Sequence, residues 1–378
     1  MKRIAILLPN LRGGGAERLH VYLANEWVEQ GHKVEIILMQ MHGELLPLLS
    51  PKVAVVELGV ERIRQVIRPL CKYLKQSKPD ALLSAMWPLT SATIFAWLIS
   101  GRHGKVFLSD HVQLSVSCVK ELGCSLLFLT SLIRITYPFA SGLIAVSNGV
   151  KEDLCRLGGF SEQRVKVIYN PAATGVSPHR ESQVVREKLW GKGFENHVLA
   201  VGTLKAQKDH ETLIRAFASL PAGLNAKLTI LGEGVLRNTL EKMISELGLQ
   251  SRISMPGYVN DTYSWFRTAD LFVLSSQWEG FGNVIVEALE CGVPVVSTNC
   301  QSGPDEILEG GRYGKLVPVQ DAMALADAIG QSLIESHDRE PLMRRAKDFS
   351  VRKISDEYLS YFFLKRAEMK LSKARDCC

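Results

Sequence analysis

At 378 residues, 46% hydrophobic and 22% charged, the chain is long enough for two ordinary domains with substantial cores, and its composition excludes a disordered or fibrous protein. The net charge of +6 favours anionic substrates or surfaces, but no basic run is interleaved with aromatics, so nucleic acid is not an expected partner. Eight cysteines form no Cys-x-x-Cys pair and no cluster of zinc spacing, so neither a metal ribbon nor a disulfide framework is expected and a reducing cytoplasm fits them.

The opening run, "RIAILLP", is brief and lacks a small-residue cleavage site, so it reads as a first buried strand rather than a secretory leader. Further strands are predicted at "KVEIILM", "VAVVEL", "DALLSA", "KVFLSD", "GLIAVS" and "RVKVIY". A second series follows at "HVLAVG", "AKLTIL", "RISMPG", "DLFVLS", "VPVVST" and "GKLVPV". Apolar runs without alternation mark parallel strands covered on both faces, and the helical segments between them imply right-handed crossovers. The expected fold is therefore α/β: two Rossmann-like, doubly wound parallel-sheet domains facing across a cleft. The first spans residues 1–172 and the second 183–348, with a Pro-, Gly- and Ser-rich hinge at Asn170–Ser182. A final helix, residues 349–370, is expected to pack back toward the first domain.

Three loops carry candidate chemistry. The first strand runs into Gly13, Gly14 and Gly15 and then a helix, whose free amides suit an anion. It is not a Gly-x-Gly-x-x-Gly sequence, and no acidic residue ends the second strand to hold a ribose, so a dinucleotide site is poorly supported. The first strand of the second half ends at Gly202, followed by Thr203, Lys205 and Lys208, and lysine is a compact charge suited to phosphate oxygens. Third, Glu279 precedes "GFGNV" and Glu287 follows eight residues later, one turn into a helix. The glycines free amides at the helix mouth for a diphosphate or sugar hydroxyls, and Glu287 stands among Val284, Ile285, Val286, Ala288 and Leu289, where a carboxylate needs a partner.

"WEGFGNVIVEALECGVPVVST" resembles the Glu-x7-Glu signature of the retaining glycosyltransferases of family four, which have the two-lobed GT-B fold. The resemblance runs nearly the whole chain, through "GGGAERLHVYLANEWVEQGHKVEIIL", "VSNGVKEDL", "VIYNP", "VGTLKAQKDHETLIRAF", "SGPDEIL" and "YGKLVPV". It implies that Glu279 binds the donor sugar near the reacting centre and that Glu287 holds the nucleotide ribose. The amides of Phe281, Gly282, Asn283 and Val284 would meet sugar and diphosphate, Lys208 would neutralise the diphosphate, and His111 would lie near the anomeric centre. Thr203 stands where the family usually has Arg, removing one cation from the diphosphate site, with compensation by Lys205 and an uncompensated site as the two alternatives. The leaving group is then stabilised by Lys208, by the amides at Gly14 and Gly15 and by the helix mouth. No Asp-x-Asp pair occurs, so no metal and no cofactor is expected beyond the substrate nucleotide sugar, UDP-linked by family habit.

The expected activity is transfer of a hexose or N-acetylhexosamine to a glycan or polyprenyl- or lipid-linked acceptor, in cell-envelope polysaccharide or lipopolysaccharide assembly. A sugar-nucleotide epimerase of the same architecture and a non-catalytic sugar-nucleotide-binding protein are the alternatives. The expected location is cytoplasmic, peripheral on the inner face of the membrane. "CSLLFLTSLIRITYPFASGLIAVS" is interrupted by Thr130, Ser131, Arg134, Thr136 and Pro138 and does not span. Leu126, Leu127, Phe128, Leu132, Ile133 and Ile135 nearly encircle its helix, more than one core-facing stripe requires. With Arg62, Arg64, Arg68, Lys72, Lys75 and Lys78, this helix suggests a first domain resting on an anionic membrane, an ordinary core helix beside a solvated basic one being the alternative.

Overall fold

The computed structural model of the chain describes residues 1–363 except Leu122, Pro178 and Arg180; the part of the predicted final helix beyond Phe363 lies outside the described residues. By its internal contacts the chain divides into two compact units, one running to Pro171 and resuming at Val351, the other Ala172–Ser350.

The first unit holds a seven-stranded sheet in the order β3-β2-β1-β4-β5-β6-β7. Its strands are β1 (Arg3–Leu8), β2 (Lys33–Leu38), β3 (Ala54–Glu57), β4 (Ala81–Ala85), β5 (Lys105–Asp110), β6 (Gly142–Ala145) and β7 (Val165–Val167). The second unit holds six strands in the order β10-β9-β8-β11-β12-β13. These are β8 (Asn196–Val201), β9 (Ala226–Leu231), β10 (Ile253–Gly257), β11 (Leu271–Leu274), β12 (Val295–Thr298) and β13 (Lys315–Val317). The strand pairings are parallel. β4 and β6 are buried along their whole length, as the unbroken apolar runs require of strands covered on both faces.

Each order reverses once, between β1 and β4 in one sheet and between β8 and β11 in the other. At such a reversal the connections leave in opposite directions, and the loops at the carboxyl ends of the two strands splay apart to leave room for a ligand. The glycine loop follows β1, the Lys208 loop follows β8 and the Glu279 loop follows β11. The chain therefore delivers each candidate motif to a place that parallel topology leaves open.

The helix Val351–Phe363 belongs to the first unit. Tyr358 and Phe362 pack edge-to-face against Trp27 of the first helix, Gly15–Glu29, with ring centroids 6.1 and 5.7 Å away. The Lys105 ammonium donates to the Phe362 carbonyl oxygen at 2.8 Å.

One detail departs from the sequence reading. Cys118 and Cys124 form a disulfide across the connection between the helices Leu114–Lys120 and Leu126–Thr136, with Cα atoms 5.3 Å apart. The pair was invisible beforehand because six residues of separation follow no motif; only the turn between the helices brings the thiols together. The apolar helix carries apolar residues beyond its core-facing stripe, as its sequence suggests. Leu129 and Ile133 are fully buried and seat it in the first unit, whereas Leu126, Leu127, Phe128 and Ile135 are exposed. Among the described residues no helix is long and apolar enough to cross a membrane.

Candidate active site

In the second unit the loops after β8 and β11 are laced together. Ser275 Oγ donates to the Lys208 carbonyl at 2.7 Å, the Gln277 amide donates to the Gln207 carbonyl at 2.8 Å, and the Gln207 side chain donates to the Trp278 carbonyl at 2.9 Å. Thr298, at the end of β12, donates to the Ser276 carbonyl at 2.6 Å. Held this way, the Lys208 ammonium meets Glu279 Oε1 at 2.5 Å, and Ser276 Oγ donates to the same oxygen at 2.6 Å. Glu279 is only 7% exposed, so its charge is stabilised by these two donors rather than by water. Gly202 packs beside them: a Cβ there would crowd three methylenes of Lys208 at 3.2 Å. Thr203 is exposed, while Lys205 is half-buried and opens the short 3-10 turn Ala206–Lys208.

After Glu279 the chain turns through Gly282, whose φ of +104° is left-handed and suits glycine, into the helix Asn283–Glu290. Phe281 is buried, and its carbonyl oxygen would lie 1.7 Å from a Cβ on Gly303, so "QSGPDEIL" must carry glycine to approach this loop. The amides of Asn283 and Val284 begin the helix, where unpaired N–H groups and the helix dipole favour an anion. Glu287 is half-buried one turn along. Glu290, on the same helix, is buried and accepts from the Thr174 and Gly175 amides at 3.2 and 2.6 Å and from Tyr263 Oη at 2.8 Å.

In the first unit Gly14 caps the Gly15–Glu29 helix, and a Cβ on it would fall 2.2 Å from Glu17 Oε2. Burial pushes the Glu17 carboxyl above its ordinary value. His111 follows β5 at 9% exposure, with Nε2 3.1 Å from Ser109 Oγ. Burial first, and then its neighbour His20, hold His111 well below the usual imidazole range, so the ring is neutral at pH 7. Asp110 beside it accepts from Tyr137 Oη at 3.2 Å, and burial pushes its carboxyl up to about 7 despite that hydrogen bond.

The structure thus brings Gly202, Lys208 and Glu279 together in one unit, with Phe281, Gly282, Asn283, Val284 and Glu287 continuing from Glu279, and it places Gly14, Gly15 and His111 in the other. Ser276, Thr298, Gln207 and Glu290 escaped the sequence reading. Of these, Glu290 alone left a signal, as a third carboxylate in an otherwise apolar helical stretch.

Two family models match the chain: "Glycosyltransferase Family 4" over residues 13–175 and "Glycosyl transferases group 1" over residues 185–349. The chain is a glycosyltransferase. Among its relatives is an N-acetylgalactosaminyltransferase of Campylobacter jejuni named for a diacetylbacillosaminyl-diphospho-undecaprenol substrate, 32% identical over 61% of this chain and 62% of that one. The lipopolysaccharide core biosynthesis glycosyltransferase LpsE of Rhizobium meliloti is 28% identical over 92% of this chain and 95% of that one. Among solved structures, Anabaena HepE in complex with UDP and glucose superposes with a TM-score of 0.79 at 23% identity, over 95% of this chain and 99% of that one. That likeness supports the GT-B fold.

Proposed function

We propose that this glycosyltransferase moves a hexose or N-acetylhexosamine from a UDP-sugar to a polyprenyl- or lipid-linked glycan in envelope polysaccharide or lipopolysaccharide assembly. In this reading the anomeric configuration is retained and no metal is required. The observation that carries it is the buried Lys208–Glu279 pair at the mouth of the Asn283–Glu290 helix. An ammonium has three donors and spends one on Glu279, so it can bind a diphosphate without abandoning the carboxylate. Charge developing on the leaving phosphate is met by that ammonium and by the helix amides, fixed before the reaction begins. Glu279 then takes donor-sugar hydroxyls, Glu287 the ribose, Gly14 and Gly15 the diphosphate, and the neutral His111 the reacting sugar. Thr203 offers no cation to this site, and Lys205 adjoins it.

A lipid-linked acceptor is supported by the relatives' names and by the first unit's surface. Leu127 is 80% exposed, with Phe128, Ile135 and Phe139 exposed nearby. Arg62, Arg64, Arg68, Lys72, Lys75 and Lys78 are exposed in and just beyond either end of the helix Ile67–Ser77. That helix packs on Leu89–Ser100, which packs on Leu126–Thr136, so cations and apolar side chains share one face of the unit. Such a face suits the anionic inner surface of the cytoplasmic membrane.

The deciding experiment offers a panel of UDP- and GDP-sugars with polyprenyl-linked acceptors, with and without chelator, and reads the product anomer by NMR. Transfer from a UDP-sugar with retention, unaffected by chelator, is expected. Inversion or loss of activity with chelator overturns the mechanism, and activity with GDP-sugars alone overturns the nucleotide. Flotation with vesicles should grow with anionic lipid and fade with salt; no binding at low salt discards the membrane.

A further inference from the structure

Two histidines meet in the first unit, and the proposed chemistry uses only His111. His20 lies on the Gly15–Glu29 helix with 0% exposure, in a stretch whose other buried positions are Leu19, Val21, Leu23, Ala24, Trp27 and Val28. An imidazole adds nothing to such a core unless its polar atoms serve a purpose. Its Nδ1 stands 2.7 Å from the Ala16 carbonyl oxygen. A carbonyl can only accept, so Nδ1 carries the hydrogen and Nε2 keeps a bare lone pair. That Nε2 is buried with no hydrogen-bond partner among the described residues.

The ring beside His20 is His111. Their centroids are 5.1 Å apart and their planes cross at 69°, an edge-to-face arrangement. His111 is anchored through Nε2 to Ser109 Oγ, and its Nδ1 is buried with no hydrogen-bond partner among the described residues. Ser109 fixes one edge of the ring, while the perpendicular His20, pinned by its own bond to Ala16, supplies the wall that fixes its plane. Burial lowers His20 to about 4, so a neutral ring abuts His111 and adds no charge to repel it at pH 7.

We propose that His20 is a positioning residue, holding the ring plane of His111 for its contact with the reacting sugar. The proposal rests on the reading of His111 as a catalytic group. A group misplaced by about 1 Å can cost 10²-fold in rate without a matching loss of binding.

The test uses full-length protein carrying His20→Leu, which keeps an apolar filling but removes ring and anchor, and His20→Phe, which restores a ring. His20→Leu should lower kcat by about 10- to 10²-fold with donor KM nearly unchanged, and His20→Phe should recover part of the loss. In a His111→Ala background His20→Leu should cost nothing further, because there is no ring left to place. The ring ¹⁵N resonances of His111 should shift in His20→Leu and return toward their positions in His20→Phe. Additive losses in the double variant, or unchanged His111 resonances in His20→Leu, overturn the proposal. A normal rate for His111→Ala overturns the catalytic reading of His111, and the resonances then still decide whether His20 places it. If His20→Leu does not fold, His20→Met takes its place with the same readings: a lowered kcat with shifted His111 resonances supports a ring wall, and wild-type kcat with wild-type resonances refutes it.

Discussion

Glu279 in the second unit and His111 in the first are held in opposite ways. At Glu279 one carboxylate oxygen is answered twice, by Lys208 and by Ser276, and Thr298 holds the carbonyl of that same serine. Around His111 the accounts stay open, with bare buried atoms at His20 Nε2, His111 Nδ1 and Asp110 Oδ2. A satisfied network is rigid and stabilising, whereas an open one costs stability and is useful only to a partner that arrives later. The Glu279 carboxylate is thus prepared in a charged cradle, and the surroundings of His111 keep unused hydrogen-bonding capacity.

The sharpest way to break this contrast is to remove one member of the closed network. Glu279→Ala should lower kcat by roughly 10²- to 10³-fold, and Lys208→Ala should lower kcat/KM by about 10²-fold. Glu279→Ala also leaves Lys208 buried and unpaired, a loss of about 3–5 kcal/mol in the range typical of broken buried pairs. UDP, as a replacement anion, should therefore raise the Tm of Glu279→Ala by more than it raises that of the wild type in a thermal-shift titration. An equal rise in both would mean that the diphosphate does not reach Lys208. Glu287→Ala should act differently, raising donor KM by about 10-fold with kcat little changed, as expected for a ribose contact.

The open network answers to pH. Asp110 binds its proton more tightly when folded, near 7, than an unfolded aspartate does at about 3.9. Between those values the folded state holds more protons, so the stability that Asp110 contributes falls as pH rises. His20, near 4 when folded against about 6.5 unfolded, contributes the opposite slope as pH rises from 4 to 6.5. Asp110→Asn removes the falling contribution alone. Its stability relative to wild type should grow by on the order of 1 kcal/mol per pH unit between pH 4 and 7 in urea titrations, then level off. A difference independent of pH would sink the assignment. The smallest effect is expected from Thr203→Arg, an added cation at an exposed position, which should tighten UDP binding a few-fold in low salt and less in high salt.

Much of this was legible in advance. Each predicted strand forms, because unbroken apolar runs have no other way to be covered, and the Lys208 and Glu279 loops could be placed because they follow two such runs. What escaped depends on contacts that form only once the chain has folded. Ser276 is an ordinary serine until a carboxylate folds back onto it three residues later, and Thr298 ends a strand like any other threonine. His20 reads as one more residue of an amphipathic helix, and only the ring of His111, ninety-one positions away, gives it a purpose.

Glu290 gives the Asn283–Glu290 helix a mechanical aspect. By clasping the amides of Thr174 and Gly175, it ties that helix to the segment through which the chain enters the second unit. The returning segment is moored nearby: the Ala173 amide donates to the Phe349 carbonyl at 3.1 Å, and the Phe349 ring rests edge-on against Phe281, with centroids 5.4 Å apart. Both passages of the chain are thus leashed to the Glu279–Glu290 stretch, one at its first turn and one at its last residue. A nudge from a bound donor against Phe281 or Glu287 tugs on both leashes at once, and slower amide exchange at Ala173, Thr174 and Gly175 is where that tension registers.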